Sequence, residues 1–295
     1  MTAERGDGPA RPRPDRPPPG RVSPEALARS RGDAREGLEW LGRPPEVRAT
    51  IQYRVARILA RLVLFGFFRF RIQVDGREHL PRGGYLLIGA AHRGWMDPFL
   101  VLHALPAVPR AWFLGSAAST FRSRWRERLI RWIGGLLPVW RGGIGIDQHL
   151  RAAEAVLRAG GVFVQMPEGT VSGPVGRIGP FRTGAALIAL RTGAPIVPLA
   201  MVGTEELYLG RRMAARILPP TSASALLRET WDGVVAEPGS RAELDVAYRL
   251  SSCLADLLGP VVEGLHPWTV DPADHPRRFR RRLTWLFLAP GRLDR

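Results

Sequence analysis

The sequence predicts an α/β fold, a mixed sheet flanked by helices, with an amphipathic helical membrane-binding segment ahead of it. Three observations lead there. Tyr85–Ala91, Val162–Met166 and Ile196–Val202 are short apolar runs bounded by glycines, prolines or polar breaks, the signature of buried strands. Pro98–Leu105, Asp147–Ala159 and Thr183–Thr192 read as helices between them, the second stopped by Gly160 and Gly161. Polar residues with chemical potential collect where these strands end, which is where an open α/β sheet gathers its loops.

In chain order, residues 1–45 are rich in Pro, Arg, Gly and Asp and nearly free of apolar periodicity, so they lack the apolar surface to order themselves. Residues 46–71 contain a helix candidate with Arg54, Arg57 and Arg61 at three- and four-residue spacing against Ile, Leu, Val and Phe. A basic face opposite an apolar face suits a helix lying in a bilayer interface. It equally suits a helix packed on the protein's own core. Ile72–Asp75 and Trp112–Leu114 are short strand candidates. Residues 121–141 interleave Arg with Trp, a composition that fits either a lipid surface or single-stranded nucleic acid. Residues 205–265 hold helical segments and a polar connection, and 271–295 form a basic C-terminal segment.

The formal net charge is +16 and all 43 basic residues are arginine. Their distribution says more than their sum. Residues 46–71 carry six arginines against one acid, and residues 110–141 and 276–295 each carry seven against one. An anionic partner is expected. The single cysteine, Cys253, excludes an intrachain disulfide and points to a reducing compartment. No apolar h-region stands at the amino terminus, and no apolar run reaches 18 residues, so neither a secretory signal nor a spanning helix is expected.

The most informative stretch is Tyr85–Asp97. His92 leaves a strand tip, and Asp97, followed by Pro98, is placed to cap the next helix. The turn between them can fold the carboxylate onto the imidazole, fix its tautomer and leave the other ring nitrogen free to take a proton. His266 and Asp271 repeat the spacing but follow no strand, so the context favours the first pair. A second strand tip carries Pro167-Glu-Gly-Thr170, followed by a glycine-rich loop to Gly179. No His-Glu-x-x-His or paired Cys-x-x-Cys pattern occurs, and no metal or cofactor is expected.

These motifs resemble the glycerolipid acyltransferases typified by lysophosphatidic acid acyltransferase. Four blocks stand in the family's order: His92-Arg-Gly-Trp-Met-Asp97, Leu137-Pro-Val-Trp-Arg141, Met166-Pro-Glu-Gly-Thr170 and Ile196-Val-Pro-Leu199. The resemblance covers about residues 70–205 and implies an α/β acyltransferase domain over 72–270. It implies His92 as general base and Asp97 as its support, acting on a lysolipid hydroxyl that attacks the thioester of acyl-CoA or acyl carrier protein. Arg141, Glu168, Gly169 and Thr170, joined by Arg182, are the candidates for binding the acceptor's polar head. Glu168 fits a structural carboxylate equally well, and Arg141 and Arg182 also fit plain surface charges.

Three departures from the family pattern bear on the acceptor. Ala91 and Gly94 stand where Asn and Ser are usual, and Val171 replaces an arginine suited to phosphate. Arg177 or Arg182 could take its place. The expected protein is an O-acyltransferase of phospholipid synthesis, peripheral or monotopic on the cytoplasmic face of the cell membrane, with 1-acylglycerol-3-phosphate as default acceptor. Another lysophospholipid or a lyso-aminolipid is the alternative acceptor. A non-catalytic lipid-binding protein and a nucleic-acid-binding protein are the competing classes, and no nucleic-acid partner is expected.

Overall fold

A computed structural model of the chain describes residues 46–116, 124–139, 145–169, 175–228 and 237–270. The expected tail at 1–45 and basic segment at 271–295 lie outside the described residues, as do Arg141, Thr170 and Val171.

The described residues form seven strands in one sheet: β1 (Arg71–Asp75), β2 (Tyr85–Ala90), β3 (Ala111–Ser116), β4 (Leu136–Val139), β5 (Val162–Gln165), β6 (Ile196–Val202) and β7 (Arg212–Ile217). Their spatial order is β1-β7-β6-β2-β5-β3-β4. Neighbours are parallel except β6 and β7, which pair antiparallel, so the sheet is mixed as expected. The strand that ends at the histidine is central, with β5 and β6 as its two neighbours.

Strand β2 is buried on both sides, which is why its sequence is a continuous apolar run. Its alternation sorts the side chains: Leu86, Ile88 and Ala90 enter one core, and Tyr85 and Leu87 the other. The first core is covered by α4 (Gly145–Arg158), α5 (Gly184–Thr192) and α7 (Arg241–Thr269); the second by α2 (Asp97–Ala104) and the turn after α1 (Ile51–Arg61). The remaining helices are α3 (Arg124–Ile133) and the short α6 (Ala223–Leu227).

Three elements depart from the sequence reading. Strand β4 lies where residues 121–141 read as one basic aromatic segment, and it contains Pro138, which is tolerated because β4 closes an edge of the sheet. Strand β7 reads Arg-Met-Ala-Ala-Arg-Ile and carries neither an apolar run nor β-branched enrichment before its last residue. Helix α7 runs unbroken for 29 residues through Pro260 and Pro267. Its start is secured by Ser240, which accepts from Glu243 N at 3.1 Å, and by Arg191, which grips Glu243 through two bonds of 2.6 and 2.8 Å. Buried Ala247, Leu250, Leu254, Leu258, Val262 and Leu265 then recur at helical spacing along the sheet.

Helix α1 begins at Thr50, whose hydroxyl accepts from Tyr53 N at 3.3 Å, and ends in a wider π-helical turn over Leu62–Phe67. Its inner side carries Tyr53, Ala56, Ala60 and one arginine, while Arg54 and Arg61 are exposed. Arg57 is buried and donates to Leu105 O at 2.6 Å and Pro106 O at 3.2 Å, whereas Ile51, Val55, Ile58, Leu59 and Leu62 form an exposed stripe. Helix α3, packed beside α1, likewise leaves Trp125, Leu129 and Trp132 exposed at one-turn spacing. Among the described residues, no helix is long and apolar enough to cross a membrane.

Candidate active site

Strand β2 delivers the chain to Ala91, whose φ of +69° is left-handed, a conformation that costs an alanine and that Asn tolerates better. That bend turns His92 out of the sheet. Its side chain keeps 22% exposure, while Asp97 is fully buried. His92 Nδ1–H donates to Asp97 Oδ2 at 2.6 Å, and the same oxygen accepts from Arg93 N at 2.7 Å and Gly94 N at 2.8 Å. Three donors on one carboxylate oxygen fix the turn and the imidazole's tautomer together, leaving Nε2 with the lone pair.

The expectation that Asp97 caps α2 is corrected. Met96 holds the cap position without a side-chain bond, and Asp97 is the first helical residue. Its carboxylate points back to residues 92–94 because an imidazole and two amide donors already converge there. Burial pushes the His92 pKa down, but the hydrogen bond and charge of Asp97, with the charge of Glu168, outweigh it, and the net shift is upward from 6.5.

The second loop is tied directly to the first. Glu168 is buried, and its Oε1 accepts from Ala91 N at 3.1 Å and Gly179 N at 3.0 Å, its Oε2 from His92 N at 2.8 Å. Burial raises its pKa, opposed by the bond from Gly179, the charge of Arg93 and the bonds from His92 and Ala91. Of its two sequence readings, the geometry is that of the structural carboxylate: both oxygens are occupied by backbone donors. Gly169 follows at φ +67°, with a built Cβ falling 2.9 Å from Arg182 Cδ, so the Arg182 side chain lies across this turn. Arg182 is exposed, and no ion pair engages its guanidinium among the described residues. Arg177, the other substitute for the missing arginine, stands 3.7 Å from Glu263. Ile196–Leu199, the fourth block, is the start of β6 beside β2 and supplies packing. His266 lies in the last turn of α7 and Asp271 outside the described residues, so that pair forms no strand-tip site.

Sequence reasoning missed two features. One is Arg93, inside the first block, which donates to Arg177 O across 84 positions of chain. The other is an apolar cavity of about 220 Å³ between α1, α2, β3 and α3. Pro98 and Phe99 of its wall directly follow Asp97, and Tyr53, Leu64, Phe113 and Ile133 are among the other lining residues. His103 in this wall is pushed down to about 4 by burial and by Arg61, Arg77 and Arg57, which keeps it neutral. Only contacts between segments distant in sequence create these features. Among the described residues no group of three His, Cys, Asp or Glu is placed to hold a metal.

An oriented imidazole at a strand tip with a carboxylate behind it can accept a proton at its free ring nitrogen, and an apolar cavity lies against the helix that follows. The comparisons with known proteins point in one direction. The sequence profile of the Acyltransferase family matches residues 71–202. The chloroplastic 1-acyl-sn-glycerol-3-phosphate acyltransferase BAT2 of Brassica napus is 28% identical over 204 residues, 67% of this chain and 53% of that protein. The alpha enzyme of the same name from Mus musculus is 26% identical over 188 residues, 58% of this chain and 62% of that protein. The crystal structure of the 1-acyl-sn-glycerophosphate acyltransferase PlsC from Thermotoga maritima aligns with a TM-score of 0.53 at 19% identity, covering 72% of this chain and 79% of that one; this likeness shows the fold. Residues 71–202 of the chain are thus similar to the Acyltransferase family and to these 1-acyl-sn-glycerol-3-phosphate enzymes. It spans a little over half the length of the curated relatives it matches.

Proposed function

We propose that the chain is an O-acyltransferase that moves a fatty acyl group from acyl-CoA or acyl carrier protein to the free hydroxyl of a lysolipid, with 1-acylglycerol-3-phosphate as the default acceptor. The observation that carries the reading is the 2.6 Å contact between His92 and Asp97 on a partly open imidazole, with Glu168 joining this turn to the Glu-Gly turn. His92 Nε2 takes the proton of the acceptor hydroxyl as its oxygen attacks the thioester carbonyl carbon. The carbon–sulfur bond of the tetrahedral species breaks, and the imidazolium returns the proton to the departing thiolate. Asp97 supports the transient positive charge on the ring. Base catalysis of this kind contributes ~10²–10⁴-fold, and alignment of two bound substrates supplies much of the rest.

The apolar cavity next to Asp97 suits an acyl chain. Arg182, exposed over Gly169 and without an ion pair among the described residues, suits the acceptor's anionic head, with Arg141, Gly169 and Thr170 as further contacts by resemblance. The exposed apolar stripe of α1 and the exposed tryptophans of α3, among arginines, suit an anionic lipid surface on which the chain sits peripherally. The large apolar residues that α1 leaves outside, Ile51, Ile58 and Leu62 beside the exposed Arg54 and Arg61, favour this over complete burial of its apolar residues against the protein's own core.

An acceptor screen with labelled acyl-CoA over lysophosphatidic acid, other lysophospholipids and lyso-aminolipids tests the proposal. The expected result is transfer to at least one lysolipid, highest with the phosphate monoester and reduced ~10²–10⁴-fold in His92→Ala with the fold intact. Undiminished transfer by His92→Ala would refute the base assignment, and binding of oligonucleotides without anionic vesicles would favour the nucleic-acid class.

A further inference from the structure

Arg93, next to the base, turns its guanidinium away from solvent and toward the loop opposite. Only 9% of the residue is exposed, and Nη2 donates to the carbonyl of Arg177. Two further contacts fix the same loop. Gly179 N donates to Glu168, and Gly176 lies against the ring of His266, where a built Cβ would fall 2.4 Å from Cδ2. Gly176 has φ +72°, so the loop approaches α7 in a backbone conformation that favours glycine. Loop 175–179 is thus clasped between the catalytic turn and the last turns of α7. Arg93 and Glu168 hold it from the catalytic side.

We propose that Arg93 is a positioning residue: it latches loop 175–179 to the catalytic turn and so sets the acceptor side of the site beside Gly169 and Arg182. This rests on the acyltransferase reading of that site. The bond runs from a side chain next to the base to a main-chain carbonyl in the opposite loop, so the loop's sequence is irrelevant to it and its position is not. Arg182 N donates to Pro167 O at 2.8 Å, so the Glu-Gly turn and the residue following this loop are already one unit. Displacing the loop displaces the acceptor's cradle while leaving His92 and Asp97 in contact.

The test is steady-state kinetics with lysophosphatidic acid and labelled palmitoyl-CoA, together with amide hydrogen exchange of the full chain without substrate. Arg93→Ala is expected to raise the acceptor KM about tenfold or more with kcat within about threefold, and to speed exchange at Gly179. Arg93→Lys, which keeps one donor for the carbonyl, is expected to restore most of the KM. Gly176→Ala pushes the loop off His266 without touching any charge and is expected to raise the same KM. Combining it with Arg93→Ala is expected to add less than the product of the two effects, because both release one element. A fall in kcat at unchanged KM would overturn the proposal, as would unaltered exchange at Gly179 in Arg93→Ala or an unaltered KM in Gly176→Ala. Lack of acyl transfer by the wild-type chain would strike the underlying reading instead, and the exchange result would still decide whether the latch exists.

Discussion

Glu168→Gln separates a carboxylate that holds the backbone from one that binds the acceptor. In the wild type its two oxygens receive three backbone N–H bonds, from Ala91, Gly179 and His92. Glutamine keeps one acceptor oxygen. With that oxygen at the Oε1 position, the bonds from Ala91 and Gly179 survive as neutral ones, each weaker by about 1 kcal/mol, while the amide NH₂ confronts His92 N–H. A buried donor left without an acceptor costs about 1–3 kcal/mol. Against this, burial already raises the Glu168 pKa, so removing the charge recovers part of a desolvation cost. The net loss is about 2–3 kcal/mol, or a fall in Tm of roughly 5–10 °C for a domain of this size. Thermal and urea denaturation measure it, with acceptor kinetics on the same preparations. The expected outcome is the lowered Tm with a reduced kcat, since the displaced amide belongs to His92. An unchanged Tm with a raised acceptor KM would refute the reasoning and make Glu168 a direct ligand.

Two further outcomes follow from other parts of the molecule. Arg182→Ala should raise the KM for a phosphate-bearing lysolipid by about 10- to 100-fold, the worth of a charged hydrogen bond, and leave a neutral lysolipid nearly unaffected; equal effects on both would exclude headgroup recognition by Arg182. Replacing the exposed Trp125 and Trp132 together by Ser should leave the Tm nearly unchanged while weakening flotation with vesicles containing anionic lipid, and wild-type flotation should weaken with added salt; undiminished flotation would place the lipid surface elsewhere.

What the sequence disclosed and what it withheld divide on a physical line. The buried strands β2, β5 and β6 were legible because central parallel strands, buried on both faces, produce continuous apolar runs. The His92–Asp97 pair was legible because both partners lie in one tight turn. Strand β7 was not, since an edge-side strand of alanines and arginines is defined by its partner rather than by its own pattern. Helix α7 was read only as segments because its prolines look like breaks, although the buried stripe from Ala247 to Leu265 continues past Pro260. Helix α1 shows the sharpest divergence. Its periodicity grouped Arg54, Arg57 and Arg61 on one face, but only Arg57 turns inward, drawn by the carbonyls of Leu105 and Pro106. The roles of Arg93 and Glu168 were hidden for the same reason, since each acts on backbone more than 75 positions away.

The pH dependence of kcat/KM for the acceptor probes the base most directly. Only the neutral imidazole can accept the proton, and Asp97 holds the His92 pKa above 6.5, so the rate should climb with pH and level off above that raised value. In Asp97→Asn the supporting bond and charge are gone and burial pulls the ring down, so the inflection should move to lower pH while the plateau falls steeply. A wild-type rate that is flat across this range or declines with rising pH, or an inflection that stays in place in Asp97→Asn, would contradict the assignment of His92 as the base braced by Asp97.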